Sequence, residues 1–152
     1  DGHILRHDRV SVLPGDKSAE IRSIQKHDDD YDWAVGGDRV GLALKGITAE
    51  ELDRGMVLTT DKGMVVRATI TAKAEVVKYW LNPIAKGAVL HLGHWMQFVP
   101  ARVEDSVVGG DWRRPTLTLQ IQKGLAFRPG SRAVVTQLEG GKLRVVGTIA
   151  LE

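Results

Sequence analysis

The stretch Ala19–Leu58, AEIRSIQKHDDDYDWAVGGDRVGLALKGITAEELDRGMVL, decides the predicted fold. Its first residues, AEIRSIQ, alternate between apolar and polar side chains, which is typical of a half-buried strand. The Gly-Gly-Asp turn at residues 36–38 leads into Val40–Lys45, which also predicts a strand. Thr48 and Glu51 have capping-box spacing, which predicts a short helical turn over Thr48–Arg54. These patterns indicate a fold built mainly from short strands.

Strand patterns continue on both sides of this stretch. Arg9–Leu13 alternates again, and the turn at residues 14–17 joins it to the strand that follows as a hairpin. Beyond residue 60, six extended runs are separated by Gly- and Pro-containing turns. These runs are Val65–Tyr79, Ala88–Leu92, Trp95–Glu104, Thr116–Gln122, Arg132–Leu138 and Leu143–Leu151. The sequence therefore predicts an all-β sandwich or barrel.

Composition excludes several classes of protein. The chain has 152 residues, of which 43% are hydrophobic and 26% charged, as in ordinary globular proteins. The absence of cysteine excludes disulfides, thiolate nucleophiles and thiolate zinc sites. No apolar stretch approaches the roughly 20 residues that a membrane span needs. We expect a soluble, cytoplasmic protein.

The charge distribution is asymmetric. Residues 1–60 contain 8 basic and 12 acidic residues, whereas residues 61–152 contain 13 basic and 7 acidic residues. A basic second half suits a polyanionic partner, because neutralised phosphates release counterions. A solvated surface remains the alternative.

Motifs for catalysis and metal binding are absent from the sequence. The Gly141-Lys142 pair is followed by Leu143, so it does not complete a phosphate-binding P-loop. The histidine pairs His3/His7 and His91/His94 are interpreted as turn and barrel-end residues, the second because Gly93 between them predicts a strand that ends in a turn. Residues 28–32 are interpreted as a solvated acidic loop. We expect no catalytic residue, no metal site and no cofactor in this chain.

Ala19–Leu58 also resembles the second, β-barrel domain of the translation-factor GTPases, the EF-Tu family. Four pieces match in order. They are Ile21–Gln25, the turn Ala34-x-x-Gly37-Asp38, the strand Arg39–Leu42, and Gly46-Ile47 followed by Asp53-Arg54-Gly55-x-Val57-Leu58. The resemblance implies that residues 1–62 form this domain, truncated at its front.

Val65–Glu152 is similar to the third domain of the same family, so that the chain is expected to hold two consecutive β-barrels, at residues 1–62 and 63–152. Four short segments most resemble archaeal SelB-like elongation factors, either the selenocysteine-specific factor or a related factor associated with pyrrolysine. These segments are IRSIQKHD, GDRVG, LNP and VLHLG. The resemblance implies that the GTPase domain, with its GTP and magnesium, is missing from this chain.

The family resemblance also implies a set of binding residues. In the family, the second-domain barrel receives the aminoacylated 3′ end of tRNA, and by position this implies that Gln25, His27 and Asp28 contact the terminal adenosine. Arg39 falls near the amino-acid pocket, where a cation recognises a polar or ionised side chain. In the second barrel, the turn at residues 139–142 places Lys142 and Arg144 against phosphates of the tRNA stem.

Alternatives remain open for these residues and for the chain. Gln25 is equally interpreted as an exposed strand-end residue, and Arg39 as the partner of Asp38 or of a neighbouring carboxylate in a salt bridge. The expected partners are aminoacyl-tRNA and, through the parent protein, the ribosome, with no DNA and no membrane. The alternative function is a protein-interaction module that docks a ribosomal or translation-factor partner.

Overall fold

The computed structural model describes residues 2–139 and 142–152. It is all-β, as predicted, and its Cα positions cluster into two compact units, Asp1–Lys62 and Gly63–Glu152. Within the described residues there is no helix with the length and apolar character needed to cross a membrane.

The first unit is a curled, open sheet. Its strands are β1 His3–Leu5, β2 Arg9–Leu13, β3 Lys17–Lys26, β4 Asp29–Tyr31, β5 Trp33–Val35, β6 Gly41–Lys45 and β7 Val57–Thr59. All pairings are antiparallel, in the order β4-β3-β2-β7 with β6 paired to β3, while β1 and β5 form a separate two-stranded sheet. The predicted hairpin of β2 and β3 is confirmed, with Val12 opposite Lys17.

The core of the first unit follows the alternating pattern. Val10 and Val12 on β2 are buried, as are Ala19, Ile21 and Ile24 on β3. The odd spacing between the two isoleucines is accommodated by a β-bulge between Ile21 and Ser23, which turns Ile24 back toward the core.

The predicted capping box is confirmed, but the helical turn is shorter than predicted. A 3₁₀ helix covers only Ala49–Glu51, because Leu52 is extended (φ −107°, ψ 123°) and packs against the core. The Glu51 carboxylate accepts hydrogen bonds from the backbone N–H and the hydroxyl of Thr48 (2.7 and 3.1 Å) and pairs with Lys17.

This capping arrangement predicts a pH-dependent contribution to stability. The Lys17 ammonium, followed by the Thr48 N–H, lowers the pKa of Glu51 from 4.5 to about 2. A carboxyl whose pKa is depressed in the folded state stabilises the fold fully above its unfolded pKa and loses that effect as pH falls toward the folded value. Wild-type protein should therefore exceed Glu51→Gln in urea resistance above pH 5, and the difference should shrink toward pH 2.

Urea unfolding followed by the NMR resonances of Ile21 and Ile24 measures this difference within the first unit. Glu50→Gln is the matched control, because Glu50 lies on the same 3₁₀ helix but makes no hydrogen bond or ion pair among the described residues. A difference between wild type and Glu51→Gln that stays constant from pH 6 to pH 2 contradicts the prediction.

The second unit is a closed six-stranded barrel. Its strands are β8 Val65–Val76, β9 Val89–His94, β10 Gln97–Val107, β11 Thr116–Phe127, β12 Ser131–Glu139 and β13 Lys142–Leu151, in the order β10-β11-β8-β13-β12-β9. The interior is filled by the inward residues of every strand, including Leu90, Leu92, Leu119, Ile121, Phe127 and Ile149. These strands follow the six predicted runs, with shifts of a few residues at their ends.

Two predicted loop features are wrong. The turn expected at Gly93 lies instead at Trp95 and Met96, because Trp95 adopts a left-handed conformation (φ 51°) while Gly93 pairs with Phe98 and Val134 inside the sheet. The acidic loop expected at residues 28–32 contains strand β4, whose side chains are nonetheless exposed.

Candidate functional site

The first pair of predicted site residues forms the tip of a tight hairpin. His27 and Asp28 connect β3 to β4, and both have positive φ angles, 51° and 70°. Lys26 and Asp29 pair directly before and after them. Two central residues with positive φ are the mark of a type I′ turn, which matches the twist of the flanking strands. Both side chains are exposed, so the His27 ring is available for stacking.

Gln25 lies next to this turn on β3. It is exposed and stands opposite Asp30 on β4 and Gly41 on β6. Its Nε2 donates a hydrogen bond to Asp30 Oδ1 at 3.1 Å. Both interpretations of Gln25 describe this position, because an exposed residue near the end of a strand also offers its Oε1 to a ligand.

Arg39 follows a second tight turn. Gly37 has φ +99°, and Asp38 closes the turn by accepting the Val35 N–H at 3.0 Å while donating its own N–H to the Val35 carbonyl. The alternative salt bridge between Arg39 and Asp38 is not formed. Asp38 pairs instead with Lys26, and the exposed Arg39 guanidinium has no ion-pair partner within the part of the chain that the structure describes.

The pair of Lys26 and Asp38 brings the two turns together. Lys26 Nζ lies 2.6 Å from Asp38 Oδ2, and this ammonium, followed by the Val35 N–H, lowers the pKa of the Asp38 carboxyl below its ordinary value. Lys26 directly precedes His27, and Asp38 directly precedes Arg39. The predicted residues therefore gather at one edge of the first unit.

Sequence reasoning missed Lys26. Its Nζ lies over the rings of both Tyr31 and Trp33, 4.8 and 4.4 Å from their centroids, in addition to its contact with Asp38. The available signal was the pair of aromatic residues two positions apart inside an acidic run, which is an unusual composition for a merely solvated loop.

A shallow polar cleft of about 300 Å³ lies beside this edge, lined by Arg6, Ser23, Asp30, Tyr31 and Asp32. Arg6 and Asp32 form an ion pair across it at 3.6 Å. No group of three or more metal-ligating side chains occurs in residues 2–139 and 142–152. The cleft offers hydrogen bonds to a small polar group.

The second unit carries the other predicted residues on the hairpin of β12 and β13. Lys142 stands opposite Glu139 and Arg144 opposite Gln137, and both cations are exposed. Residues two apart on a strand share a face, so Lys142 and Arg144 point the same way. The two glycines of the predicted turn, Gly140 and Gly141, lie outside the described residues.

The other face of this hairpin is apolar. Leu138 and Leu143 stand opposite each other and, with Val145, are more than half exposed. The hairpin is therefore two-faced, with cations on one side and exposed aliphatic side chains on the other.

The sequence is similar to those of known translation factors. Residues 1–59 match the family described as Elongation factor Tu domain 2. An uncharacterized protein of Methanocaldococcus jannaschii is 36% identical over 96% of the chain, which covers 45% of that relative. The selenocysteine-specific elongation factor of the same organism is 29% identical over 95% of the chain, which covers 32% of that relative. The chain thus spans less than half the length of these relatives.

Solved structures show the same likeness. The apo form of translation elongation factor SelB from Methanococcus maripaludis superposes with a TM-score of 0.81 and 25% identity, over the whole chain and 36% of that protein. A bacterial selenocysteine-specific elongation factor superposes with a TM-score of 0.76 at 18% identity, over 99% of the chain and 23% of that protein, which shows the shared fold.

Proposed function

We propose, from the premise that this chain is a SelB-like translation-factor module built on an elongation factor Tu domain 2, that it holds aminoacyl-tRNA. The first unit would hold the aminoacylated 3′ end and the second the stem. The observation that carries the proposal is the edge of the first unit, where the His27-Asp28 turn and the exposed Arg39 are joined through Lys26 and Asp38.

The chemistry of this edge suits a charged 3′ end. The exposed His27 ring can stack on the terminal base, and Gln25 can hydrogen-bond its sugar or base edges. Asp28 lies on the same turn and has room to accept a hydrogen bond from a ribose hydroxyl. Arg39 has no ion-pair partner among the described residues and offers its guanidinium to a polar or ionised amino-acid side chain.

The basic face of the β12–β13 hairpin suits a nucleic-acid stem. Lys142 and Arg144 lie on the same exposed face, and cations in this arrangement neutralise backbone phosphates without reading sequence. The excess of basic residues beyond residue 60 adds to the same field.

We expect GTP and magnesium, which the family implies, to bind outside this chain, because the Gly141-Lys142 pair does not fit them. The Gly141-Lys142 pair is followed by Leu143 where phosphate and metal binding require Ser or Thr, and Lys142 begins a strand rather than a helix. We place the nucleotide, its hydrolysis and the contact with the ribosome in the full-length protein, which we expect to act in the cytoplasm.

The second candidate function, docking of a protein partner, is favoured by an exposed apolar face on the first unit. Leu5 stands opposite Trp33 on the β1–β5 sheet, and these two residues and Val35 are 44 to 50% exposed. Four carboxylates at residues 28–32 lie nearby in the chain and repel phosphate.

Salt-dependent binding tests the proposal. The full-length protein, with a non-hydrolysable GTP analogue, should bind aminoacylated tRNA with an affinity that falls steeply as salt rises. Replacing Lys142 and Arg144 with Ala should weaken all tRNAs alike and reduce the slope of log affinity against log salt by about one per lost contact. Filter-binding titrations from low to moderate salt measure both quantities.

Lys73→Ala is the control, since Lys73 is an exposed cation on β8 of the same barrel. It should leave the slope unchanged. If the wild type shows no salt-dependent tRNA binding, or if Lys73→Ala reduces the salt slope as much as the Lys142 and Arg144 replacements do, the tRNA-binding proposal is wrong and protein docking becomes the favoured function.

A further inference from the structure

We propose that Lys26 is the positioning residue of this edge, and that its ammonium holds the His27-Asp28 turn and the Gly36–Arg39 turn in one arrangement. Its consequence for RNA recognition rests on the proposed function, whereas its effect on the two turns does not.

The surroundings of Lys26 distinguish it from an ordinary surface lysine. Its side chain is only 13% exposed. The Nζ atom is in contact with the Asp38 carboxylate and lies over the Tyr31 and Trp33 rings. The faces of aromatic rings attract cations, most strongly where water is excluded. One carboxylate and two rings therefore fix the ammonium from different strands and turns.

Exposed ion pairs contribute little to stability, because water competes and two long side chains lose freedom. The pair of Lys26 and Asp38 differs because the lysine is shielded and the carboxylate is itself anchored. Asp38 Oδ2 accepts both the Lys26 ammonium and the Val35 N–H. A single oxygen atom thereby connects the end of β5 with the end of β3.

The ion pair of Lys26 and Asp38 can hold both turns because each partner lies in or directly beside one of them. Lys26 is the last residue of β3, and the next two residues form the I′ turn. Asp38 is followed directly by Arg39. In the second turn, the Gly36 N–H also donates a backbone hydrogen bond to the Gly2 carbonyl. Without the ammonium, no described side chain links the two turns.

Amide hydrogen exchange in the full-length protein without RNA tests the link directly. Lys26→Met keeps an unbranched apolar side chain but removes the charge, and it should raise exchange of the paired amides of the two turns, Asp29, Gly36 and Asp38, by about tenfold or more. Lys26→Arg should restore most of the protection, because a guanidinium also stacks on aromatic rings and pairs with a carboxylate. Amides of the second unit should not change.

Lys45→Met is the matched control. Lys45 is an exposed lysine on β6 of the same sheet, and its side chain makes no hydrogen bond or ion pair among the described residues. Its replacement should leave both turns protected. Core resonances of Ile21 and Ile24 report whether each variant is folded. Should Lys26→Met fail to fold, Tyr31→Leu removes one of the two aromatic rings that contact the Lys26 ammonium and tests the same link.

Binding of in vitro charged total tRNA gives the second readout. Lys26→Met should reduce affinity for the charged tRNA by about tenfold, because the two turns, no longer held in one arrangement, lose conformational freedom when they bind RNA. Lys26→Arg should recover the affinity. Unchanged exchange in both turns, or loosened turns with unchanged affinity in a wild type that binds, overturns the proposal. If the wild type binds no tRNA, the proposed function fails, while the exchange measurements still decide whether Lys26 joins the turns.

Discussion

Replacing Gly147 with Ala should destabilise the second unit by about 3 kcal/mol or more, because it places a methyl group where the barrel closes. Gly147 on β13 pairs with Val76 on β8, and a Cβ at this glycine would lie 2.1 Å from the Glu75 carbonyl oxygen and 3.0 Å from the Val76 Cα. Backbone atoms of a paired strand cannot move aside as a flexible side chain does. The seam between β8 and β13 would have to open.

Thermal unfolding followed by NMR resonances of the barrel core measures this effect. A domain of this size loses about 4–8 °C in melting temperature per kcal/mol, so a fall of more than 10 °C is expected. Gly93→Ala is the matched control, because Gly93 also lies inside a barrel strand but its added Cβ would meet no atom closer than 3.9 Å. Equal melting temperatures for the two variants contradict the role assigned to the seam.

Local patterns predicted much of the fold correctly. The alternation of Val10 and Val12, the turn at residues 14–17 and the pairing of Thr48 with Glu51 all involve residues close in sequence, and each is found in the structure. The strand pattern alone did not decide between a sandwich and a barrel, because closure of the second sheet depends on contacts between strands that are distant in sequence. The role of Gly147 could not be predicted from local sequence, since the atoms that leave no space for a Cβ belong to Glu75, more than seventy positions earlier.

Gln97 shows the same limit in the core of the second unit. The sequence placed it inside a predicted strand, with no role. In the structure it is 4% exposed, and its side-chain amide accepts the Ala126 N–H at 2.9 Å and donates to the Ala126 carbonyl at 2.6 Å. It thus joins β10 to β11 beyond Ala101 and Ile121, where the backbone pairing of these strands ends. A buried polar residue of this kind is identified only once its partner is known.

The candidate site shows which part of a binding surface is local. The turn residues His27 and Asp28 were singled out by position, and the tight turn that presents them is formed by neighbouring residues. The partner of Asp38 was not predictable, because two cations, Arg39 beside it in sequence and Lys26 across the sheet, were available. Lys26 forms the pair, since Tyr31 and Trp33 hold its ammonium beside the carboxylate. Arg39 is left without an ion-pair partner among the residues that the structure describes.

The exposed Arg39 guanidinium leads to the prediction that Arg39→Asn alters the preference among aminoacyl groups. If Arg39 binds the amino-acid side chain, its loss should weaken tRNA carrying the favoured polar or ionised amino acid by about tenfold to a hundredfold, the value of a hydrogen bond to a charged group. Uncharged tRNA should bind almost as before, because its phosphate contacts lie elsewhere. Filter-binding titrations with a panel of aminoacyl-tRNAs and the same tRNAs deacylated measure both effects in the full-length protein.

Arg22→Asn separates this role from a general loss of positive charge. Arg22 is an exposed arginine on β3 of the same unit, so its replacement changes the net charge equally, yet it should leave the preference among aminoacyl groups intact. The salt slope gives a further distinction, since Arg39→Asn should leave it unchanged while the Lys142 and Arg144 replacements flatten it. If Arg39→Asn weakens charged and uncharged tRNA by the same factor, or lowers the salt slope, Arg39 contacts phosphate rather than the amino acid, and its assignment to the amino-acid pocket is wrong.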